Sequence, residues 1–222
     1  SVENILNQVD GKTKLIMFPS PNSVAGNEVA QEKIVELLEK FDGMVFVDEA
    51  YFEILGETSI ALIEKYDNLV VSRTLSKAWG LAGVRIGYCV CSEENILSLR
   101  KIKLPYNKSC VDQAIAQCVV QNNEGKMREQ VKAIGEQREF LSKNLREFGL
   151  EVFPSCTNFV LARFPPRFSS KKIQEKLAGE KIIVRDRSSL PLAENCIRIT
   201  VGTQEENAFL LKELQKILGE EK

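Results

Sequence analysis

Three short segments place reactive side chains where an apolar run stops. Val45-Phe46-Val47 runs into Asp48, with Tyr51 three residues further on. Val70-Val71 runs into Ser72, Thr74, Ser76 and Lys77. Gly80-Leu81-Ala82-Gly83-Val84-Arg85 offers small residues that let a ligand approach the backbone, then an arginine. Singly, each has a plain explanation: an aspartate after a strand caps a helix, a loop lysine is solvated, and hydroxyls favour turns. Together they are a carboxylate, the Thr74 and Ser76 hydroxyls, an amine and a guanidinium at neighbouring strand ends, where open α/β sheets bind ligands.

The chain contains no histidine among its 222 residues. That excludes Ser–His–Asp triads, Cys–His dyads and HExxH zinc sites, so any proton shuttle is Lys, Asp, Glu, Tyr or Cys. The six cysteines are scattered without a CxxC pair, which argues for small apolar residues in a reduced cytosol and against a metal centre or a disulfide framework. The set of groups suits pyridoxal 5'-phosphate. A carboxylate raises the pKa of the pyridine nitrogen, an amine condenses with the aldehyde, and hydroxyls with an arginine fork hold the phosphate.

DEAY followed by RTLSKAWGLAGVRIGY resembles the cofactor core of the fold-type-I, class I/II aminotransferases, and most closely their histidinol-phosphate aminotransferase branch. IIVRDR and CIRITVGT extend the likeness through the C-terminal segments. The resemblance implies that Asp48 pairs with the pyridinium and Tyr51 with the ring hydroxyl. Lys77 is the cofactor lysine and proton shuttle, and Thr74, Ser76 and Arg85 hold the phosphate. Arg198 and Arg185 are implied to receive the substrate's anion, and Asn22 to bind substrate as well; a pair of Arg185 with Asp186 or with a surface carboxylate is the alternative. The segment Ser20-Pro21-Asn22-Ser23-Val24-Ala25-Gly26 departs from the family's NPNNPTG turn: Ser23 replaces a cofactor-contacting Asn and Val24 a Pro. The family's glycine-containing turn and ring-stacking aromatic, which precede these motifs, have no counterpart, so an excerpt of a longer enzyme is expected.

What the resemblance implies is transamination between histidinol phosphate and 2-oxoglutarate, in histidine biosynthesis, by a cytoplasmic homodimer. A threonine-phosphate decarboxylase or an aromatic aminotransferase of the same fold shares the cofactor motif. A non-catalytic module derived from the fold is the reading from another class.

Positioning such groups needs a sheet, and the chain has the pattern for one. Lys14–Phe18, Met44–Val47, Asn68–Ser72 and Arg85–Cys91 read as strands, with an amphipathic helix over Asn27–Phe41. Helices follow over Glu93–Lys103 and Ser109–Gln121. Alternation of this kind predicts an α/β fold, a mostly parallel sheet flanked by helices. Glu124–Phe148 reads as a long connecting helix, weakly interrupted at Gly135. Beyond it, strands at 151–153, 158–163, 181–185 and 196–200 with helices at 169–177 and 203–218 make a small α+β unit. The expected division is 1–123, the cofactor domain; 124–149, the connection; and 150–222, the small C-terminal domain.

Apolar residues make up 44% and charged ones 27%, with a net charge of −1, a balance that gives no basic field for nucleic acid. No apolar run approaches the roughly 20 residues of a membrane span, and the N-terminus carries no signal-peptide pattern.

Overall fold

A computed structural model describes residues 1–220. The chain divides into two compact units, one of Ser1–Asn22 with Glu28–Arg128, the other of Ser23–Asn27 with the residues from Glu129 onward.

In the first unit, a short helix α1 (Val2–Leu6) leads to strand β1 (Leu15–Pro19). Helix α2 (Gln31–Lys40), strand β2 (Met44–Asp48), a single turn α3 (Phe52–Leu55) and strand β3 (Leu69–Thr74) follow. Strand β4 (Gly87–Cys91), helix α4 (Glu93–Ile102) and helix α5 (Cys110–Asn122) complete it. The sheet order is β1-β2-β3-β4, with the first three strands parallel and β4 antiparallel. Side chains alternate across a strand, so Val45 and Val47 of β2 and Leu69 and Val71 of β3 share one face. All four are fully buried, against Ile34, Leu37, Leu38 and Phe41 from α2 and its end. Each such side chain stabilises the unit by about 1.5–3 kcal/mol.

Two expected elements start later than the sequence pattern suggests. Helix α2 begins at Gln31 rather than Asn27 because Val29 donates its N–H to Ser20 Oγ at 2.9 Å, which holds that residue outside the helix. Strand β4 begins at Gly87, since Arg85 takes a left-handed conformation with φ of 56° that a strand cannot continue through.

The second unit takes most of helix α6 (Glu124–Glu147), followed by strands β5 (Glu151–Val152) and β6 (Phe159–Arg163). Helix α7 (Ser170–Gly179), strands β7 (Arg185–Asp186) and β8 (Cys196–Thr200), and helix α8 (Gln204–Glu220) come next. Its sheet runs β5-β6-β8-β7, antiparallel throughout. The expected strand at 181–185 shrinks to two residues, Lys181 having a φ of 63°. Helix α6 is continuous through Gly135 and closes on Gly149, whose φ of 83° lets Leu150 return its N–H to the Leu145 carbonyl. Leu141 and Leu145 of α6, Ile173 and Leu177 of α7, and Leu214 and Ile217 of α8 cover one face of this sheet. Among the described residues, no helix is long and apolar enough to cross a membrane.

Candidate active site

The first sheet brings Asp48 and Ser72 side by side. They are register partners at the carboxyl ends of parallel β2 and β3, and Ser72 Oγ donates to Asp48 Oδ1 at 3.0 Å. The Ala50 N–H donates to the same oxygen at 3.1 Å. Among the described residues, Asp48 Oδ2 accepts no hydrogen bond, so the carboxylate is oriented through one oxygen and offers the other.

Lys77 lies three residues beyond the end of β3. Its Nζ comes back to 5.2 Å from the ring centroid of Tyr51, three residues beyond the end of β2. Tyr51 is 5% exposed, so its position beside the end of β2 is fixed by burial. Lys77 makes no ion pair with a carboxylate among the described residues. The Lys77 side chain is exposed.

The hydroxyls form their own cluster. Thr74 Oγ1 donates to Ser76 Oγ at 2.9 Å and lies 3.3 Å from the Ile86 carbonyl, which also receives the Leu75 N–H at 3.0 Å. Arg85 closes the 3-10 turn Ala82–Val84, with Nη1 on the Ala82 carbonyl at 3.0 Å. Gly87, opposite Thr74, is required by space: a Cβ there would lie 2.9 Å from the Arg73 carbonyl oxygen. Asn22, half-buried, follows β1 at this same edge, where the Ser20 N–H donates to the Asp48 carbonyl at 3.0 Å.

Ser23 belongs instead to the second unit, where its carbonyl accepts a 2.6 Å bond from Arg198 Nη1. Arg198 also stands 4.7 Å over the Phe159 ring, and across the ladder it faces Arg185, which is exposed. The alternative of an Arg185–Asp186 pair is not realised: Asp186 accepts the hydroxyls of Ser170 and Ser188 at 2.8 and 2.7 Å. The turn after Ser23 is tightly docked. Gly26, at φ of 86°, packs on Ser155 and gives its carbonyl to the Cys156 N–H at 2.8 Å.

Two features escape a reading by motif. Glu49 is 3% exposed and receives Arg73 Nη2 at 3.1 Å, Thr58 Oγ1 at 2.8 Å and the Ser59 N–H at 2.5 Å, while the Arg73 guanidinium lies 3.3 Å over the Phe52 ring. Carrying the two-residue period of Val45 and Val47 one step further finds Glu49, and the same step from Leu69 and Val71 finds Arg73. Asn207, 2% exposed, holds both the N–H and the carbonyl of Gly202 at 3.0 Å, fixing the end of the Arg198 strand. Nothing local in the sequence marks that asparagine.

A parallel sheet whose strand ends gather a carboxylate, a lysine, hydroxyls and an arginine is the large-domain arrangement of fold-type-I enzymes. The histidinol-phosphate aminotransferase of Clostridium acetobutylicum superposes with a TM-score of 0.90 at 22% identity, over 99% of this chain and 68% of that one. That of Sinorhizobium meliloti, solved in complex with pyridoxal 5'-phosphate, gives 0.90 at 24% identity, over 99% and 62%. The family model for aminotransferase class I and II matches residues 1–214, and the chain belongs to that family. It is 43% identical over 217 residues to the histidinol-phosphate aminotransferase of Flavobacterium johnsoniae, which covers 96% of this chain and 61% of the relative. The chain thus spans about three fifths of the length of such relatives.

Proposed function

We propose that this chain carries the cofactor-lysine portion of a pyridoxal 5'-phosphate-dependent aminotransferase acting on histidinol phosphate and 2-oxoglutarate, in histidine biosynthesis. One observation carries the reading: Asp48 is oriented through Oδ1 with Oδ2 left open, and Lys77 folds onto the tyrosine three residues along from it. An acceptor fixed in that way suits a protonated pyridine nitrogen, and the residues fit the group. The names of the relatives support the substrate.

When bound, the cofactor supplies an aldehyde to hold the amino group and a cationic ring to withdraw electrons from the substrate's α-carbon. Asp48 keeps the ring nitrogen protonated, because its negative charge favours the charged form. Ser72 keeps that carboxylate from rotating away. Tyr51 donates to the ring's phenolic oxygen. Lys77 Nζ would hold the cofactor through its aldehyde and, once free, would be the base that carries the proton to and from the substrate's α-carbon. Thr74, Ser76 and Arg85 bind the phosphate, the hydroxyls as donors and the guanidinium as a fork. Arg198 and Arg185, facing each other across β8 and β7, are assigned to the substrate phosphate, and Asn22, after β1 in the first unit, is a further substrate contact of this proposal.

The same reading takes residues 1–123 as the later part of the cofactor domain and 150–222 as the small domain, joined by 124–149. It also takes the protein as a cytoplasmic homodimer, a compartment supported by six free cysteines. The Ser23 hydroxyl remains a cofactor contact in this proposal, while its carbonyl holds Arg198 Nη1.

Borohydride reduction of the chain after incubation with pyridoxal 5'-phosphate, followed by peptide mapping, tests the proposal. The expected result is one stable adduct on Lys77. No adduct, or one spread over surface lysines, would overturn it.

A further inference from the structure

Arg85 is held in a costly conformation by a residue that no motif contains. A non-glycine residue at φ of 56° and ψ of 36° is sterically disfavoured and persists only where its surroundings impose it. Here the Lys108 ammonium, 23 residues along the chain, donates to the Arg85 backbone carbonyl.

The stem that delivers this ammonium is fixed. Ser109 caps helix α5, its Oγ accepting the N–H groups of Val111 and Asp112 at 3.1 and 3.4 Å. Gln113 Nε2 reaches back to the carbonyls of Lys108 and Ser109, both at 3.4 Å. Helix α5 packs against the turn Ala82–Val84 that Arg85 terminates. Lys108 is half-buried in a stretch, 101–110, that is otherwise exposed, and it pairs with no carboxylate among the described residues. A lysine with only a solvating role has no reason to be there.

The carbonyl it binds belongs to a hub. Arg85 carries the guanidinium, and the next carbonyl, that of Ile86, is the one that Thr74 Oγ1 and the Leu75 N–H engage. The side chains assigned to the cofactor phosphate therefore all depend on where the backbone of residues 85–86 runs. We propose that Lys108 is a positioning residue for the phosphate end of the cofactor, acting by clamping the Arg85 turn. The inference rests on the cofactor reading given above.

The experiment measures equilibrium binding of pyridoxal 5'-phosphate and of pyridoxal, which lacks the phosphate, by the visible absorbance of the lysine-bound forms. Lys108→Met should weaken pyridoxal 5'-phosphate binding roughly five- to tenfold, the size of an ordinary lost hydrogen bond at a half-exposed site, and leave pyridoxal unchanged. Lys108→Arg should restore part of the loss. In an Arg85→Met background, Lys108→Met should cost less than it does alone, since the clamp then has only the hydroxyls to place. Should Lys108→Met not fold, Lys108→Gln takes its place in each comparison. Unchanged affinity in the variant, equal losses for both ligands, or full additivity with Arg85→Met overturns the positioning role alone. A wild-type chain that binds neither ligand overturns the cofactor reading itself, and this inference with it.

Discussion

Glu49 and Arg73 form an ion pair of 3.1 Å on the face of the first sheet turned away from Asp48 and Ser72. Each follows its neighbour by one residue, so the ends of β2 and β3 are locked together from behind. The pair is nearly dry, at 11% and 3% side-chain exposure. Removing one partner strands a buried charge, and Arg73→Met or Glu49→Ala should cost about 3–5 kcal/mol of stability. Urea denaturation checks this. The double variant should lose less than the two single losses added together, and strict additivity would mean the two groups are not coupled.

Lys77→Ala should abolish transamination while leaving the urea midpoint unchanged, because the side chain is exposed and has no ion pair among the described residues. Turnover at the wild-type rate would remove the lysine from the mechanism.

Asp48→Asn should keep the Ser72 contact yet lose the charge that keeps the ring nitrogen protonated, raising the barrier by several kcal/mol, on the order of a thousandfold in kcat. Ser72→Ala, which frees the carboxylate to rotate, should fall between the wild type and Asp48→Asn. Single-turnover kinetics separates the three, and equal rates for Asp48→Asn and wild type would contradict the proposed role.

Arg198→Ala should chiefly raise KM for a phosphorylated amino alcohol, with little effect on its unphosphorylated counterpart. Comparing the two substrates reads the effect directly. A proportional loss on both would move Arg198 from anion recognition to scaffolding, which its bond to the Ser23 carbonyl also serves.

Burial, and then the neighbouring Cys89 thiol, push the Cys91 thiol above the ordinary thiol range. A raised pKa keeps the thiol protonated, and therefore unreactive, at neutral pH, the thiolate appearing only as pH climbs past the usual value. Iodoacetamide labelling followed by mass spectrometry should modify exposed Cys110 well before Cys91 at neutral pH, with the gap closing under alkaline conditions. Equal neutral-pH rates would contradict the shift.

Much of this arrangement was legible from the chain alone. Apolar runs ending at Asp48 and Ser72 announce buried strands, and those strands pair as their alternation requires. The turn at Arg85 was misread as strand, since a positive φ on an arginine has no compositional mark. The carbonyl of Ser23 serves an arginine 175 residues away, a long-range contact that local pattern cannot carry. Asn207 and Lys108 escaped for the same reason: each satisfies a backbone group distant in sequence.

The second unit is stitched from two stretches, since Ser23–Asn27 joins it from far upstream. Trimming the chain to a single block starting at residue 129 would therefore leave a notch: Cys156 without the Gly26 carbonyl, Arg198 without that of Ser23. A fragment cut there would be missing a piece that only a short peptide, added back in trans, could replace.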